Sequence, residues 1–180
     1  MNKLVILACL FGLSELILVF FKRSRKGKVK TRKDKGSFIF LWCMITLGIT
    51  CGFFLSRPIN IFWLGFGSVF IVSGLIIRWI SILQLGKSFT VDVAITKSAV
   101  LKTDGIYDWL RHPSYFGIVL IVTGFSAVMN SIFSFLVLVI PVFLAIIYRI
   151  KIEEELLTAE FGSEYISYMS STRKLIPGIY

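Results

Sequence analysis

The stretch INIFWLGFGSVFIVSGLIIRWISILQL, residues 59–85, decides the fold of this chain. Its only charged side chain is that of Arg78, and it is longer than the about 20 residues that a helix needs to cross a bilayer. An element of a soluble domain is rarely apolar over such a length. The stretch therefore predicts a transmembrane helix.

Four more apolar blocks flank this stretch. The chain has 180 residues, of which 56% are hydrophobic, and these residues come in blocks rather than alternating with charged ones. The sequence thus predicts an all-α integral membrane protein with about five transmembrane helices and no second globular domain. The predicted spans are residues 3–21, 37–56, 59–85, 114–129 and 132–150.

Features inside and between the blocks refine this topology. Asn130 and Ser131 separate the last two blocks and predict a tight hairpin, and Pro141 predicts a kink in the last helix. No small-residue cleavage site follows the first block, which is expected to be retained. Three cysteines lie in apolar blocks without metal or redox spacing, so they are predicted to pack as buried thiols. They are Cys9, Cys43 and Cys51.

The basic run KRSRKGKVKTRKDK, residues 22–35, predicts the orientation. It carries nine Lys or Arg residues against Asp34. Because basic loops stay on the cytoplasmic side, we expect residues 22–35, 86–113 and 151–180 to be cytoplasmic, and any chemistry to take place on that face. The net charge of +10 is then a topology signal, reinforced by anionic membrane lipids. A nucleic-acid partner is not expected, because the run has no interleaved aromatic residues.

Two charged residues and three glycines lie within the apolar blocks. Glu15 and Arg78 are costly in lipid, so they are expected to form a structural pair or to line a substrate tunnel, unless Arg78 extends to the cytoplasmic interface. Gly65, Gly67 and Gly74 lack the preceding strand and third glycine of a dinucleotide fingerprint. These glycines therefore predict close helix packing.

The stretch GIYDWLRHPSYFG, residues 105–117, places a polar cluster at the mouth of the fourth block and holds His112, the only histidine. Pro113 can occupy the first turn of a helix, where its missing N–H costs nothing. The free backbone N–H groups of such a helix start, expected near Pro113, Ser114 and Tyr115, favour an anion. An aromatic and basic belt at the membrane edge would produce a similar pattern.

The stretch YRIKIEEELLTAEFGSEYISY, residues 148–168, predicts a polar helix that follows the last span. Arg149 and Glu153 are four apart, so they share one helix face. They suit either a simple salt bridge or the recognition of a carboxylate or zwitterion. Gly162 is expected to end the helix. The preceding loop LGKSFTVDVAITKSAVLKTDG, residues 85–105, predicts a short extended segment over the membrane surface.

Three stretches together resemble the isoprenylcysteine carboxyl methyltransferase family, including its prokaryotic members. They are SFTVDV, LKTDGIYDWLRHPSYFG and RIKIEEELLTAEFGSEYISYMSSTRKLIPGIY. The combination of G-x-Y-x-x-x-R-H-P-x-Y-x-G, a hydrophobic hairpin, R-x-x-x-E-E and F-G-x-x-Y-x-x-Y is specific. Phospholipid N-methyltransferases and membrane sterol reductases share parts of it. The resemblance implies a methyltransferase core over residues 59–180, preceded by two N-terminal transmembrane helices in residues 1–58.

The resemblance also implies a cofactor and its site. S-adenosyl-L-methionine is expected in a pocket formed by residues 86–113, the start of the RHPxY helix and the C-terminal segment, with a lipid substrate that enters from the bilayer. The implied cofactor-binding residues are Leu101, Lys102, Tyr107, His112, Pro113, Ser114, Tyr115 and Glu153. Arg149 is the implied substrate-binding and catalytic residue. Many relatives carry a histidine at the position of Ala99, so one cofactor contact is not expected here.

The implied reaction is methylation of the carboxylate of an isoprenylated cysteine or a similar lipid-like acceptor. Because a carboxylate is already ionised at neutral pH, this reaction needs no general base, and His112 is expected to be a hydrogen-bonding pocket residue. No metal is expected. The alternatives are methylation of a hydroxyl or amine of another lipid, reduction of a lipid double bond, and a small membrane transporter or adaptor.

Overall fold

A computed structural model describes residues 2–22, 29–32, 36–86, 94–96 and 100–176, and these residues are mainly helical. The predicted helical fold is thus confirmed. Its helices are α1 (Asn2–Lys22), α2 (Ser37–Phe54), α3 (Ile61–Leu85), α4 (Pro113–Val128), α5 (Ile132–Phe161) and α6 (Ser163–Ser171). Among the described residues, α2, α3 and α5 are long and apolar enough to cross a membrane, while α4 is apolar but shorter. The total of five spans stays a prediction.

A small antiparallel ladder adds to the predicted all-α fold. Strand β1 (Val29–Arg32) pairs with β2 (Ala94–Thr96), which confirms a short extended segment in the loop after α3. An isolated parallel bridge joins Leu110 to Arg173. Through these pairings, the three segments predicted to be cytoplasmic meet at one end of the helices.

The hairpin between α4 and α5 is confirmed. Asn130 adopts a φ of 51°, in the left-handed region that Asn tolerates better than most residues, and its side chain donates a hydrogen bond to the Pro58 carbonyl over 3.1 Å. Ser131 then caps α5. The helix passes through Pro141 and extends beyond residue 150, where the predicted span ends, to Phe161, because no Gly or Pro lies between Pro141 and Gly162. The kink at Pro141 stays a prediction.

Glycines hold α3 directly against α4. A Cβ atom added to Gly67 would lie 2.5 Å from the Gly124 carbonyl oxygen, and one added to Gly74 would lie 2.5 Å from that of Gly117. Close packing is therefore confirmed for Gly67 and Gly74. It is wrong for Gly65, where an added Cβ meets nothing within 4 Å. We call the contact of Gly67, Gly74, Gly117 and Gly124 the glycine seam.

The cysteine prediction is wrong. Cys9 and Cys43 are exposed, and Cys51 is half-buried. The reason is that a membrane helix carries apolar residues on its outer face as well as on its packed face. Phe54, for example, is 81% exposed. An apolar block therefore does not by itself distinguish packed residues from lipid-facing ones.

The two intramembrane charges form a pair, as one of the interpretations predicted. Arg78 on α3 donates from Nε to Glu15 Oε1 over 2.5 Å and from Nη2 to Glu15 Oε2 over 2.7 Å. Glu15 is 4% exposed and Arg78 is 7% exposed. Such a fork satisfies both charges away from water and ties α1 to α3.

Candidate active site

A tight turn anchored on α3 leads into the RHPSY segment. Gly105 has a φ of +66°, and a Cβ atom there would lie 2.5 Å from Oε1 of Gln84. The same oxygen accepts a hydrogen bond from the Ile106 N–H over 3.0 Å. Only glycine fits this conformation and this close approach. A 3-10 helix, Gly105–Asp108, follows and directs the chain towards α4.

The C-terminal segment lies against the start of α4. The Arg111 N–H donates to the Arg173 carbonyl over 2.8 Å, and the His112 N–H donates to the Lys174 carbonyl over 3.1 Å. Pro113 occupies the first turn, as predicted, and the Tyr115 N–H donates to the His112 carbonyl. The expectation of a free N–H at Tyr115 is therefore wrong, because the helix itself uses this donor.

A hydroxyl group links the predicted substrate residue to a predicted cofactor residue. Arg149 Nε donates to the Tyr115 hydroxyl over 2.8 Å, and this hydroxyl donates to Glu153 Oε2 over 2.8 Å. Arg149 Nη1 also donates to Ser37 Oγ over 2.8 Å, and its guanidinium lies 5.7 Å from the Phe38 ring centroid. Arg149 is thus a buried cation, 4% exposed, whose guanidinium is held in place by several contacts. Sequence reasoning missed Ser37 and Phe38, which lie in α2, outside the motif-bearing stretches.

Glu154, the second glutamate of R-x-x-x-E-E, accepts from three side chains. Its Oε1 lies 3.1 Å from Arg111 Nε and 3.3 Å from His112 Nε2, and its Oε2 lies 3.4 Å from Lys174 Nζ. Glu154 lies beyond residue 150, where the apolar part of α5 ends. Burial opposes ionisation there, but it is outweighed by the hydrogen bond from His112 and the charge that His112 carries when protonated, by the hydrogen bond from Arg111 and by the charge of Lys174. Together they lower the pKa of Glu154 to about 2. The motif contained Glu154, but sequence reasoning gave a role only to its first glutamate.

His112 lies between the two adjacent glutamates. Its Nε2 faces Glu154, and its Nδ1 lies 3.9 Å from Glu153 Oε2. The imidazole stacks on the Tyr115 ring with centroids 5.7 Å apart and is 4% exposed. The side chain of Glu153 is 32% exposed and that of Glu154 is 14% exposed. Of the two carboxylates, Glu153 is therefore the one open to a ligand.

One tyrosine of the 3-10 helix and two tyrosines of α6 lie beside these residues. The Tyr107 hydroxyl donates to the Ser81 carbonyl, and its own carbonyl accepts from the Tyr168 hydroxyl over 2.5 Å. Burial raises the pKa of Tyr168 to about 12, so its hydroxyl stays protonated and donating. The Tyr165 hydroxyl is different, since it is the one buried side-chain polar atom in the described part of the chain without a hydrogen-bond partner. Burial and the charges of Glu154 and Glu153 raise the pKa of Tyr165.

The remaining predicted residues lie at different distances from this network. Ser114 Oγ accepts from Arg78 Nη1 over 2.8 Å, which connects the start of α4 to the buried Glu15–Arg78 pair. Lys102 forms an ion pair with Asp104, at 2.7 Å, and the half-buried Leu101 precedes it. The described contacts therefore bring His112, Tyr115, Arg149 and Glu153 together, whereas the described contact of Lys102 is with Asp104. Ala99 and Asp92 lie outside the described residues. The roles of all these residues stay predictions.

We call the following residues the polar cluster: Arg111, His112, Tyr115, Arg149, Glu153, Glu154 and Lys174. It holds three basic side chains other than His112 and two carboxylates, and the carboxylate of Glu153 is accessible. Such a site can hold a cationic ligand against Glu153 and an anionic ligand against Arg149. Among the described residues, no group of three or more His, Cys, Asp or Glu side chains could hold a metal ion.

Comparison with known proteins identifies a family. The model of the "Isoprenylcysteine carboxyl methyltransferase (ICMT) family" matches residues 65–159. A protein-S-isoprenylcysteine O-methyltransferase of Dictyostelium discoideum is 30% identical over 192 residues, which cover 96% of this chain and 75% of that protein. The corresponding enzyme A of Arabidopsis thaliana is 32% identical over 114 residues, which cover 62% of this chain and 58% of that protein.

A solved structure shares the fold. It is described as the eukaryotic intramembrane Ras methyltransferase, an isoprenylcysteine carboxyl methyltransferase, without a monobody. The match has a TM-score of 0.60 and 23% sequence identity, and it covers 99% of this chain and 53% of that chain. This chain therefore spans only part of the length of its relatives. Because the family model matches more than half of its residues, the chain belongs to the isoprenylcysteine carboxyl methyltransferase family.

Proposed function

We propose that this integral membrane protein is an S-adenosyl-L-methionine-dependent methyltransferase. Its acceptor is the carboxylate of an isoprenylated cysteine or of a similar lipid-like molecule. The observation that carries the proposal is the Tyr115 hydroxyl, which links Arg149 to Glu153 through two hydrogen bonds of 2.8 Å each. A residue suited to a carboxylate and a residue suited to a cation thus lie side by side, as a two-substrate reaction requires.

The residues of the polar cluster fit S-adenosyl-L-methionine. This cofactor carries an ammonium group, a sulfonium and ribose hydroxyls, so it needs acceptors and aromatic faces. Glu153 offers a carboxylate that is partly exposed, and Tyr115 and His112 offer stacked rings beside it. The orphaned Tyr165 hydroxyl lies on the same side, near both glutamates. We assign Glu153, His112 and Tyr115 to the cofactor, with Leu101, Lys102, Tyr107, Pro113 and Ser114 as further contacts.

Arg149 is the residue that we assign to the acceptor. When bound, the cofactor supplies an electrophilic methyl group on its sulfonium. The acceptor carboxylate is ionised at neutral pH, so the chain needs to orient it and to exclude water rather than to remove a proton. Arg149 is already held by Tyr115 and Ser37, so its guanidinium is fixed before the acceptor arrives. Such preorganisation is how a positioned cation lowers a barrier.

We also propose the orientation and the organisation of the chain. The basic run at residues 22–35 supports a cytoplasmic location of the polar cluster, and the lipid-facing surface of the helices supports entry of the acceptor from the bilayer. Residues 59–180 form the methyltransferase core. The helices of residues 1–58 pack onto it, since Glu15 pairs with Arg78 and Ser37 accepts from Arg149.

Calorimetry and a methyl-transfer assay test this function. Protein in detergent, with chelator present, should bind S-adenosylmethionine and S-adenosylhomocysteine. It should then transfer a radiolabelled methyl group to a prenylcysteine analogue and not to the methyl ester of that analogue. Failure to bind either nucleoside would contradict the methyltransferase proposal. Transfer to lipid amines or hydroxyls, with none to the prenylcysteine, would contradict the carboxylate acceptor alone.

A further inference from the structure

The contacts of Glu154 are those of a residue that positions a neighbour. The carboxylate accepts a hydrogen bond from Arg111, the residue before His112. It also forms an ion pair with Lys174 of the C-terminal segment. It is the residue after Glu153, to which we assign the cofactor. Its Oε1, 3.3 Å from His112 Nε2, is shared between the imidazole and the Arg111 guanidinium.

We propose that Glu154 is a positioning residue, which fixes the neutral His112 ring with its proton on Nε2 and its Nδ1 lone pair directed towards Glu153. A carboxylate is only an acceptor, so the nitrogen that faces it must carry a proton. Arg111 and Lys174 already balance the charge of Glu154, so the imidazole does not need to be cationic. A neutral imidazole has a single N–H, which leaves Nδ1 as an acceptor.

This tautomer gives the site a defined chemical preference. Nδ1 of His112 and Oε2 of Glu153 lie 3.9 Å apart and are then both acceptors. Two acceptors that converge on one space are best satisfied by a group that donates to both, and the negative charge of Glu153 favours a cation. The pair therefore selects a primary ammonium. Under the proposed function, this group is the ammonium of S-adenosyl-L-methionine. The identity of the ligand therefore rests on the proposed function, whereas the tautomer of His112 does not.

The tautomer can be read directly, because His112 is the only histidine in the chain. Protein labelled with 15N-histidine gives signals from this ring alone. In detergent at pH 8 and without cofactor, Nε2 should show the protonated signature and Nδ1 the unprotonated one. Glu154→Gln, which keeps an oxygen acceptor, should retain this pattern, and so should the control Glu155→Gln at the exposed next residue. Glu154→Ala should give a mixture of tautomers. A proton on Nδ1 in the unmodified protein, or on both nitrogens at pH 8, would overturn the proposal.

A binding cycle tests the ammonium preference. S-adenosylhomocysteine should bind the unmodified protein at least about tenfold more tightly than an analogue in which hydrogen replaces the amino group. Glu154→Ala should reduce this ratio by about threefold or more, while Glu154→Gln and Glu155→Gln should keep it. An unchanged ratio in Glu154→Ala would overturn the ammonium preference. If the unmodified protein binds neither compound, the proposed function fails, and the 15N pattern still decides the role of Glu154.

Discussion

The glycine seam and the polar cluster are both buried contact regions, but they differ in how many polar groups remain available to a ligand. In the glycine seam, the backbone of α3 lies against the backbone of α4. The guanidinium of the neighbouring Arg78 forms a bidentate ion pair with Glu15. In the polar cluster, Glu153 is still 32% exposed, and the Tyr165 hydroxyl beside it has no partner. A region whose polar groups are all paired within the protein stabilises the fold. A region that keeps hydrogen-bond acceptors and donors available is suited to binding a ligand. Substitutions should therefore separate stability from activity along this line.

The largest effect is expected at Glu15, on the structural side of the comparison. Glu15→Ala would leave Arg78 buried without its carboxylate, and breaking a buried pair in this way costs about 3–5 kcal/mol. The free energy of unfolding in mixed detergent should fall by about this amount. The double variant Glu15→Ala/Arg78→Met, which removes both charges, should recover part of the loss. A Glu15→Ala protein as stable as the parent would mean that the pair is solvated and does not hold α1 to α3.

The next effect is expected at Arg149, on the functional side. Arg149→Ala removes the group that we assign to the acceptor carboxylate, so turnover at saturating cofactor should fall about 100-fold or more, or roughly 2.7–4 kcal/mol. Affinity for S-adenosylhomocysteine should change little. Arg149→Lys keeps the charge but not the planar fork, so its turnover should lie between the two. Near-parental turnover in Arg149→Ala would show that the acceptor binds elsewhere.

The sequence predicted those features that a single local pattern encodes. Apolar blocks predicted the helices, the R-x-x-x-E-E spacing placed Arg149 beside Glu153, and Gly67 and Gly74 predicted close packing. It could not predict partners that depend on the three-dimensional arrangement. Ser37 meets Arg149 from a helix more than 100 positions earlier. Gly117 and Gly124 have the same seven-residue spacing as Gly67 and Gly74, but the sequence does not say that these two pairs face each other.

The wrong expectations have the same origin. An apolar block contains lipid-facing and packed residues alike, so Cys9 and Cys43 could not be distinguished from core residues. The role of Lys102 was implied by the resemblance alone and stays a prediction, since the structure shows only its ion pair with Asp104. The role of Glu154 depends on Arg111 and on Lys174, and the latter reaches it only when the C-terminal segment folds back.

A smaller effect is expected at Glu153. Glu153→Ala removes a carboxylate that we assign to the cofactor, so affinity for S-adenosylhomocysteine should fall about tenfold to a hundredfold, or roughly 1.5–3 kcal/mol. A simple helix salt bridge with Arg149 would instead cost about 0.3–0.5 kcal/mol of stability and leave affinity unchanged. Glu155→Ala, at the exposed neighbour, is the matched control. Titration calorimetry of the three proteins distinguishes these outcomes.

The smallest effect is expected from a single methyl group in the glycine seam, and it tests the comparison most cleanly because no charge changes. Gly74→Ala places a Cβ atom 2.5 Å from the Gly117 carbonyl oxygen, so α3 and α4 must separate. Overpacking of this kind costs about 1–3 kcal/mol. Gly65→Ala makes the same chemical change where an added Cβ has nothing within 4 Å, and it should change stability by less than about 0.5 kcal/mol or improve it slightly, since Ala favours helices.

Folded Gly74→Ala protein should bind S-adenosylhomocysteine with parental affinity, because the seam contributes no group to the polar cluster. Equal stability losses in the two variants would show that the cost comes from helix propensity or lipid contact and that the seam is not closely packed. A loss of affinity in folded Gly74→Ala would show that the two regions are coupled through Arg78 and Ser114, which lie one turn beyond the seam on α3 and at the start of α4.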